Sequence, residues 1–150
     1  MLQPKPSKRP KSVKISKSKI PNAGLGLFIM EAAKKGEFVA RYSGEAIDRA
    51  ENDRRTSNYR ISISKNLYLD AKNSNHFEGR FINDGPRANK RPNVRFAAGY
   101  RTNVCSISGF NWIRIFALRN LKSGEELYLD YGSDFWQATQ SSTTSPQPNE

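Results

Sequence analysis

Between residues 13 and 118, short runs rich in β-branched and aromatic side chains alternate with turn signals, and no long amphipathic helix intervenes. The runs cover residues 13–16, 27–30, 38–47, 59–64, 67–70, 93–98 and 111–118. Runs of this length, bounded by Gly, Pro, Asn and Ser, predict strands. Lys34-Lys35-Gly36, Asn73-Ser74-Asn75, Asp84-Gly85-Pro86 and Ser108-Gly109 punctuate them. One short helix is expected from Asp48, a good N-cap residue, to about Arg55, and a further helical turn over residues 78–82. The fold class this predicts is mostly β, with several small sheets, long loops and few short helices. A βαβ array with a parallel sheet is not supported.

With 150 residues the chain is expected to form one domain, burying roughly two-thirds of its unfolded surface. Its only cysteine, Cys105, leaves no internal disulfide and no multi-cysteine zinc site, which fits a reducing compartment. No run of about 18 apolar residues is present to span a membrane, and the basic N-terminus lacks the apolar run of a secretory signal. The formal charge is +11, which favours polyanionic surroundings. Lys5, Lys8, Arg9, Lys11, Lys14, Lys17 and Lys19 occupy the first 19 residues with no acidic residue among them. Residues 1–12 are expected to be a basic disordered arm, read either as a solvated tail or as a nuclear-targeting or nucleic-acid contact segment. Residues 137–150, Ser/Thr/Gln/Pro-rich, are expected to be a disordered polar tail. The folded domain should cover residues 13–136.

Four short motifs stand in order along that domain: Gly24-Leu25-Gly26, Tyr42-Ser43-Gly44, Arg80-Phe81-Ile82-Asn83-Asp84 and Asp130-Tyr131-Gly132. The glycine pair is not a dinucleotide fingerprint. The position of the third glycine holds Ile29, and no long helix follows. Taken alone it reads as a tight turn between strands, and either tyrosine taken alone reads as a half-buried residue with its hydroxyl on a backbone carbonyl.

In this order the four motifs resemble the SET domain, the fold of lysine methyltransferases that use S-adenosylmethionine. The resemblance implies a C-terminal pseudoknot in which the segment before Tyr131 threads beneath the Asn83 loop. Residues 113–118 and 121–127 are apolar enough to be that thread. It implies a cofactor site built from Gly24, Leu25, Gly26, Arg80, Phe81, Asn83, Asp84, Tyr131 and Trp136. There the glycines admit the cofactor's methionine part to the backbone, and Asn83 holds its amino end. Trp136 or Phe135 would stack on adenine, an interaction of about 1–3 kcal/mol; simple packing on the core is the other reading. Asp84 departs from the family, which usually carries Asn-His-Ser here; its backbone groups remain for main-chain contacts to adenine, whereas a side-chain contact made by the family histidine is not implied. Pro92-Asn93-Val94 fits the family's continuation. No cysteine-rich motif flanks the motifs, which resembles the compact stand-alone type found outside eukaryotic chromatin enzymes as well.

Methyl transfer from a sulfonium to an amine is an in-line displacement, and the amine must first lose its proton. Holding a lysine of pKa about 10.4 neutral at pH 7 costs about 4–5 kcal/mol. A neighbouring sulfonium and an apolar channel lower that pKa, so no strong base is required. By the resemblance Tyr131 is the catalytic tyrosine, and Tyr42 lines the pore with it. Leu129 stands where many members carry Phe or Tyr and, with Tyr42 and Tyr131, would line the substrate channel. Lacking a water-holding hydroxyl, it points to di- or trimethylation. Glu125 and Glu126 follow the Ser123-Gly124 turn and are structural. Asp130 is expected to anchor a loop, and Asp48, Glu51, Asp53, Arg54 and Arg55 to form a solvated helix face, with contact to a basic substrate tail as the other reading. His76 and Cys105 have no partners in sequence for a metal or a catalytic dyad.

The function expected is therefore protein-lysine N-methylation with S-adenosylmethionine as cofactor and no metal. The partner expected is a protein with a basic lysine-containing tail, a histone above all, in the nucleus, or the host nucleus if the source is viral or bacterial, and otherwise in the cytoplasm. Two alternatives stay open: a non-catalytic SET-like chromatin or nucleic-acid-binding module, and a methyltransferase for a non-histone protein or for its own arm. Monomer and homodimer are both compatible with the sequence.

Overall fold

The computed structural model describes residues 9–57, 59–72, 78–97, 105–107 and 110–132, with no account of the side chains of residues 105–107 and 110. Among the described residues three sheets carry the fold. β1 (Val13–Lys17) and β2 (Leu25–Ile29) form an antiparallel hairpin. A six-stranded sheet has the order β4 (Arg60–Ser64), β5 (Leu67–Asp70), β3 (Phe38–Ile47), β9 (Phe110–Ala117), β7 (Val94–Phe96), with β8 (Cys105–Ile107) also on β9. The third pairs β6 (Asn83–Asp84) parallel to β10 (Tyr128–Leu129). The mostly-β expectation with few helices holds.

β3 is buried along most of its length, and β9 alternates between buried Ile113, Ile115 and Ala117 and the less buried Arg114 and Phe116. Ala40 and Tyr42 of β3 and Ile113, Ile115 and Ala117 of β9 are buried on one face, where Ile61, Ile63, Leu69, Val94 and Leu127 join them. The helix expected after Asp48 is α1 (Arg49–Arg54), capped by the Asp48 carboxylate, which accepts from Glu51 N at 2.8 Å. Its acidic face is not free. Glu51 accepts from both Arg54 and Arg55, and Arg55 reaches on to Glu45 and Asp70, tying the helix to β3 and β5. The turn expected over 78–82 is a 3₁₀ turn, Glu78–Phe81.

The crossing that positions the site is made by residues 125–131. On one side Ile29 N donates to the Glu125 carbonyl and Leu127 N to the Leu27 carbonyl. On the other, Gly85 N donates to Leu129 O at 2.8 Å and Asn93 N to Tyr128 O at 3.0 Å. The buried Asn93 side chain completes the clasp, donating to Glu126 O at 2.9 Å and accepting from Tyr128 N at 2.8 Å. Residues 113–117, expected as part of the thread, instead lie in β9 at the centre of the main sheet. Their apolar residues Ile113, Ile115 and Ala117 alternate with Arg114 and Phe116, which reflects a strand with one face on the core, not passage through a loop.

The arm expected over residues 1–12 is described only from Arg9, and there Lys11 N donates to Val39 O while Met30 N donates to Ser12 O. Residues 1–8, the tail 137–150, Phe135, Trp136 and His76 lie outside the described residues, and of Cys105 only the backbone is described.

Candidate active site

The site grows from the turn that closes the β1–β2 hairpin. Gly24 sits at φ 74°, a conformation that side chains resist. Gly26 is glycine for a different reason: a Cβ there would collide with the buried Glu126 carboxylate. Glu126 in turn accepts from Ser18 Oγ at 2.6 Å, Lys19 N at 2.8 Å and Tyr128 OH at 3.2 Å, locking the hairpin turn to the C-terminal segment. This bears out a structural reading of Glu126. Glu125 is structural as well, accepting from Arg119 Nη2 and Lys122 N.

Asn83 opens β6, buried beside that turn, and donates its Nδ2 to the Leu25 carbonyl at 3.0 Å. The bond leaves the carboxamide oxygen available to a ligand. Arg80, expected at the cofactor, is engaged by main-chain carbonyls and rings. Its Nη1 donates to the carbonyls of Ala71 (3.1 Å) and Lys72 (2.5 Å), and its guanidinium lies over the rings of Tyr59 and Phe81. Phe81 itself packs, half-buried, against the core. Asp84 pairs with Leu129 in the β6–β10 ladder, and its carboxylate accepts from Tyr131 N at 3.3 Å. It therefore touches the tyrosine of the last motif directly, a link sequence reasoning missed. Asp130, expected to anchor that loop, is exposed.

The two tyrosines converge. The Tyr42 and Tyr131 ring centroids are 6.3 Å apart, and each lies 5.9 Å edge-on from Phe96 of β7. Tyr131 OH donates to Ile82 O at 2.7 Å and Tyr42 OH to Tyr59 O at 2.7 Å. With each hydroxyl proton fixed on a carbonyl, the oxygens keep lone pairs able to accept. Burial raises the pKa of both phenols well above 10, with Asp70 adding to the effect at Tyr42 and Tyr42 and Asp84 at Tyr131. Both stay neutral at physiological pH and act as hydrogen-bonding groups, not bases. Leu129 is fully buried two residues before Tyr131. Phe96, the third wall, reads in sequence only as a strand residue. Its signal is the alternation of β7, which places it opposite Ile115.

One continuous path thus joins the elements: Tyr131 to the Ile82 carbonyl, Ile82 to Asn83 along the chain, and Asn83 to Leu25 in the glycine turn. A glycine turn, an amide side chain and an aromatic cluster come together where the C-terminal segment crosses.

Known proteins resemble this chain in sequence and in fold. The SET domain family profile matches residues 24–132. Histone-lysine N-methyltransferase EZH2 of Chaetomium thermophilum is 27% identical over 140 residues, covering 83% of this chain and 8% of that protein. Histone-lysine N-methyltransferase MEDEA of Arabidopsis thaliana is 30% identical over 128 residues, covering 81% of this chain and 17% of its own length. Among solved structures, the Chaetomium thermophilum Polycomb Repressive Complex 2 in an autoinhibited conformation bound to S-adenosylmethionine superposes with a TM-score of 0.66 at 26% identity, over 88% of this chain and 16% of that one. The same complex without ligand, in an autoinhibited state, gives a TM-score of 0.69 at 26% identity, over 88% and 17%. The chain spans less than a fifth of the length of each of these proteins. With the profile covering the glycine turn, Asn83 and both tyrosines, this chain belongs to the SET domain family.

Proposed function

We propose that this SET domain is a protein-lysine N-methyltransferase using S-adenosylmethionine, with a histone tail as substrate and the nucleus as its place of work. The observation that carries this reading is the convergence of Tyr42, Tyr131 and Phe96 beside the Asn83–Leu25 bond. The names of the relatives, histone-lysine N-methyltransferases, support the substrate class.

The residues fit the cofactor. A glycine at φ 74° leaves room at the turn, and the carboxamide oxygen of Asn83 suits an ammonium group. Gly24, Leu25, Gly26, Phe81, Asn83 and Asp84 would hold the cofactor, Tyr131 would face its reactive end and Trp136 would close the pocket. Arg80 contributes by fixing Phe81. When bound, S-adenosylmethionine supplies an electrophilic methyl group on a positive sulfur.

The chain's own residues then act on the lysine. The ring faces of Tyr42, Tyr131 and Phe96 take its aliphatic stem and exclude water, which favours the neutral amine. The hydroxyl oxygens, their protons held by Ile82 O and Tyr59 O, accept the amine N–H groups and orient the nitrogen lone pair for in-line attack. Leu129 offers no hydroxyl to hold a water beside the amine, which supports di- or trimethylation. The basic segment ahead of residue 13 adds contact with nucleic acid near a chromatin substrate.

Calorimetric titration of S-adenosylmethionine tests the reading. Micromolar binding to the wild type, lost in Asn83→Ala, supports it. No binding to the wild type at high protein concentration favours the non-catalytic alternative.

A further inference from the structure

The second face of the main sheet, where Phe38, Ser43 and Trp112 are buried and Arg95 and Arg114 exposed, carries an unusual set of side chains. In register across β3, β9 and β7 stand Phe38, Arg41 and Ser43, then Trp112, Arg114 and Phe116, then Arg95. No acidic residue occupies any of these positions. Arg41 and Arg114 are direct cross-strand partners, an arrangement of like charges that destabilises an antiparallel pair. Each guanidinium is seated on aromatic surface: Arg41 over Phe38 (5.4 Å) and Trp112 (5.8 Å), Arg114 near Phe38 (6.0 Å), Arg95 over Phe116 (5.3 Å). Phe38 and Phe116 themselves touch, with centroids 5.9 Å apart.

Stacking of this kind restricts the arginine stems before any ligand arrives, so less side-chain entropy is given up on binding. Arg95 and Arg114 remain exposed while the residues between them on the opposite face, Ile113, Ile115 and Ala117, are buried. The segment bearing Arg9 and Lys11 joins β3 where Lys11 N donates to Val39 O, but these two cations are already paired with Glu31 and Glu37. Two exposed guanidiniums held in place by rings, Arg95 over Phe116 and Arg114 near Phe38, make a surface suited to an anionic partner.

From this we infer that the edge of this face bearing Arg95 and Arg114 is a binding surface for the phosphate backbone of duplex DNA, separate from the methyl-transfer site. The guanidinium fork matches phosphate oxygens. Surfaces that bind single strands use open aromatic faces on which bases stack, whereas here the guanidiniums cover the rings. The interaction would therefore read charge and backbone shape, not sequence.

The test is fluorescence anisotropy of the full chain with a short labelled duplex of arbitrary sequence, titrated between about 50 and 200 mM salt. Arg95→Gln with Arg114→Gln should weaken binding about tenfold and lower the salt slope by about 2, one unit for each phosphate no longer neutralised. Arg95→Lys with Arg114→Lys, which keeps the charge, should retain most of the slope. The charge-matched pair Lys65→Gln with Lys122→Gln, exposed elsewhere, should leave the slope unchanged. Equal weakening by the two glutamine pairs would reduce the effect to net charge and overturn the inference. So would complete loss of binding on replacing Lys5, Lys8 and Arg9 by glutamine with the face intact. Poly-glutamate displacing the duplex at equal charge concentration would assign the face to an acidic protein instead.

Discussion

The side chain of Asn83 donates to the main-chain carbonyl of Leu25 at 3.0 Å, across 58 positions of sequence. That one bond joins the glycine turn of β2 to the strand that begins the crossing. A buried amide partner of this kind contributes about 1 kcal/mol to stability. Asn83→Ala should therefore lower the unfolding free energy by about 1 kcal/mol while removing measurable S-adenosylmethionine binding. Denaturant unfolding and calorimetry separate the two effects, and large destabilisation with binding retained would be the wrong pattern.

Gly26 and Glu126 should behave as a coupled pair. Adding a methyl group at Gly26 drives it into the Glu126 carboxylate, and overpacking of this sort costs about 1–3 kcal/mol. Glu126→Ala makes room but leaves Ser18, Lys19 and Tyr128 without their shared acceptor. The double variant Gly26→Ala/Glu126→Ala should be more stable than the sum of the single losses predicts, with a coupling of about 0.5–3 kcal/mol. Additive losses would show that the two do not press on each other.

Asn93 clasps the crossing segment with its amide group, through Glu126 O and Tyr128 N. Asn93→Ala leaves a buried carbonyl and a partly buried N–H unpaired, at about 1–3 kcal/mol each. Because Tyr128 leads directly to Tyr131, methyl transfer should fall along with stability. Amide exchange at residues 126–131 should rise more than at β3, and uniform acceleration across the chain would contradict a local role.

The phenols set a pH signature. Burial raises the pKa of Tyr42 and Tyr131 above the ordinary value of 10. Above pH 10 the unfolded chain releases protons that the folded chain keeps, so stability is fully present below pH 10 and falls as pH rises past it. Methyl transfer should climb between pH 7 and 10 as the substrate amine loses its proton, with no inflection from a tyrosine. An inflection below pH 10 that disappears in Tyr131→Phe would mean that the phenol ionises during catalysis.

Much of this site is legible in the sequence, because its residues sit in short motifs whose order and spacing survive there. The strands 38–47 and 67–70 are legible from side-chain type, and the helix after Asp48 from its cap. What escapes are relationships that exist only across the crossing. Nothing local marks Asp84 as the acceptor for Tyr131 N, Asn93 as a clasp, or Phe96 as the third ring. The two-residue strands β6 and β10 are too short for any periodicity. Residues 113–117 pass for part of the thread because Ile113, Ile115, Phe116 and Ala117 give a short strand much the same apolar content as a buried connecting segment. Nor does the motif around Arg80 mark the bonds of its guanidinium to the carbonyls of residues 71–72.

Transfer of labelled methyl groups from S-adenosylmethionine to core histones, by the wild type and by Tyr131→Phe, tests the central claim most directly. The account predicts label on lysine in the wild-type reaction and a loss of about a hundredfold or more in the variant. The variant should remain folded, less stable by about 1–3 kcal/mol because Ile82 O loses its donor. Equal labelling by the two proteins, or none by the wild type under conditions where the cofactor binds, would contradict it.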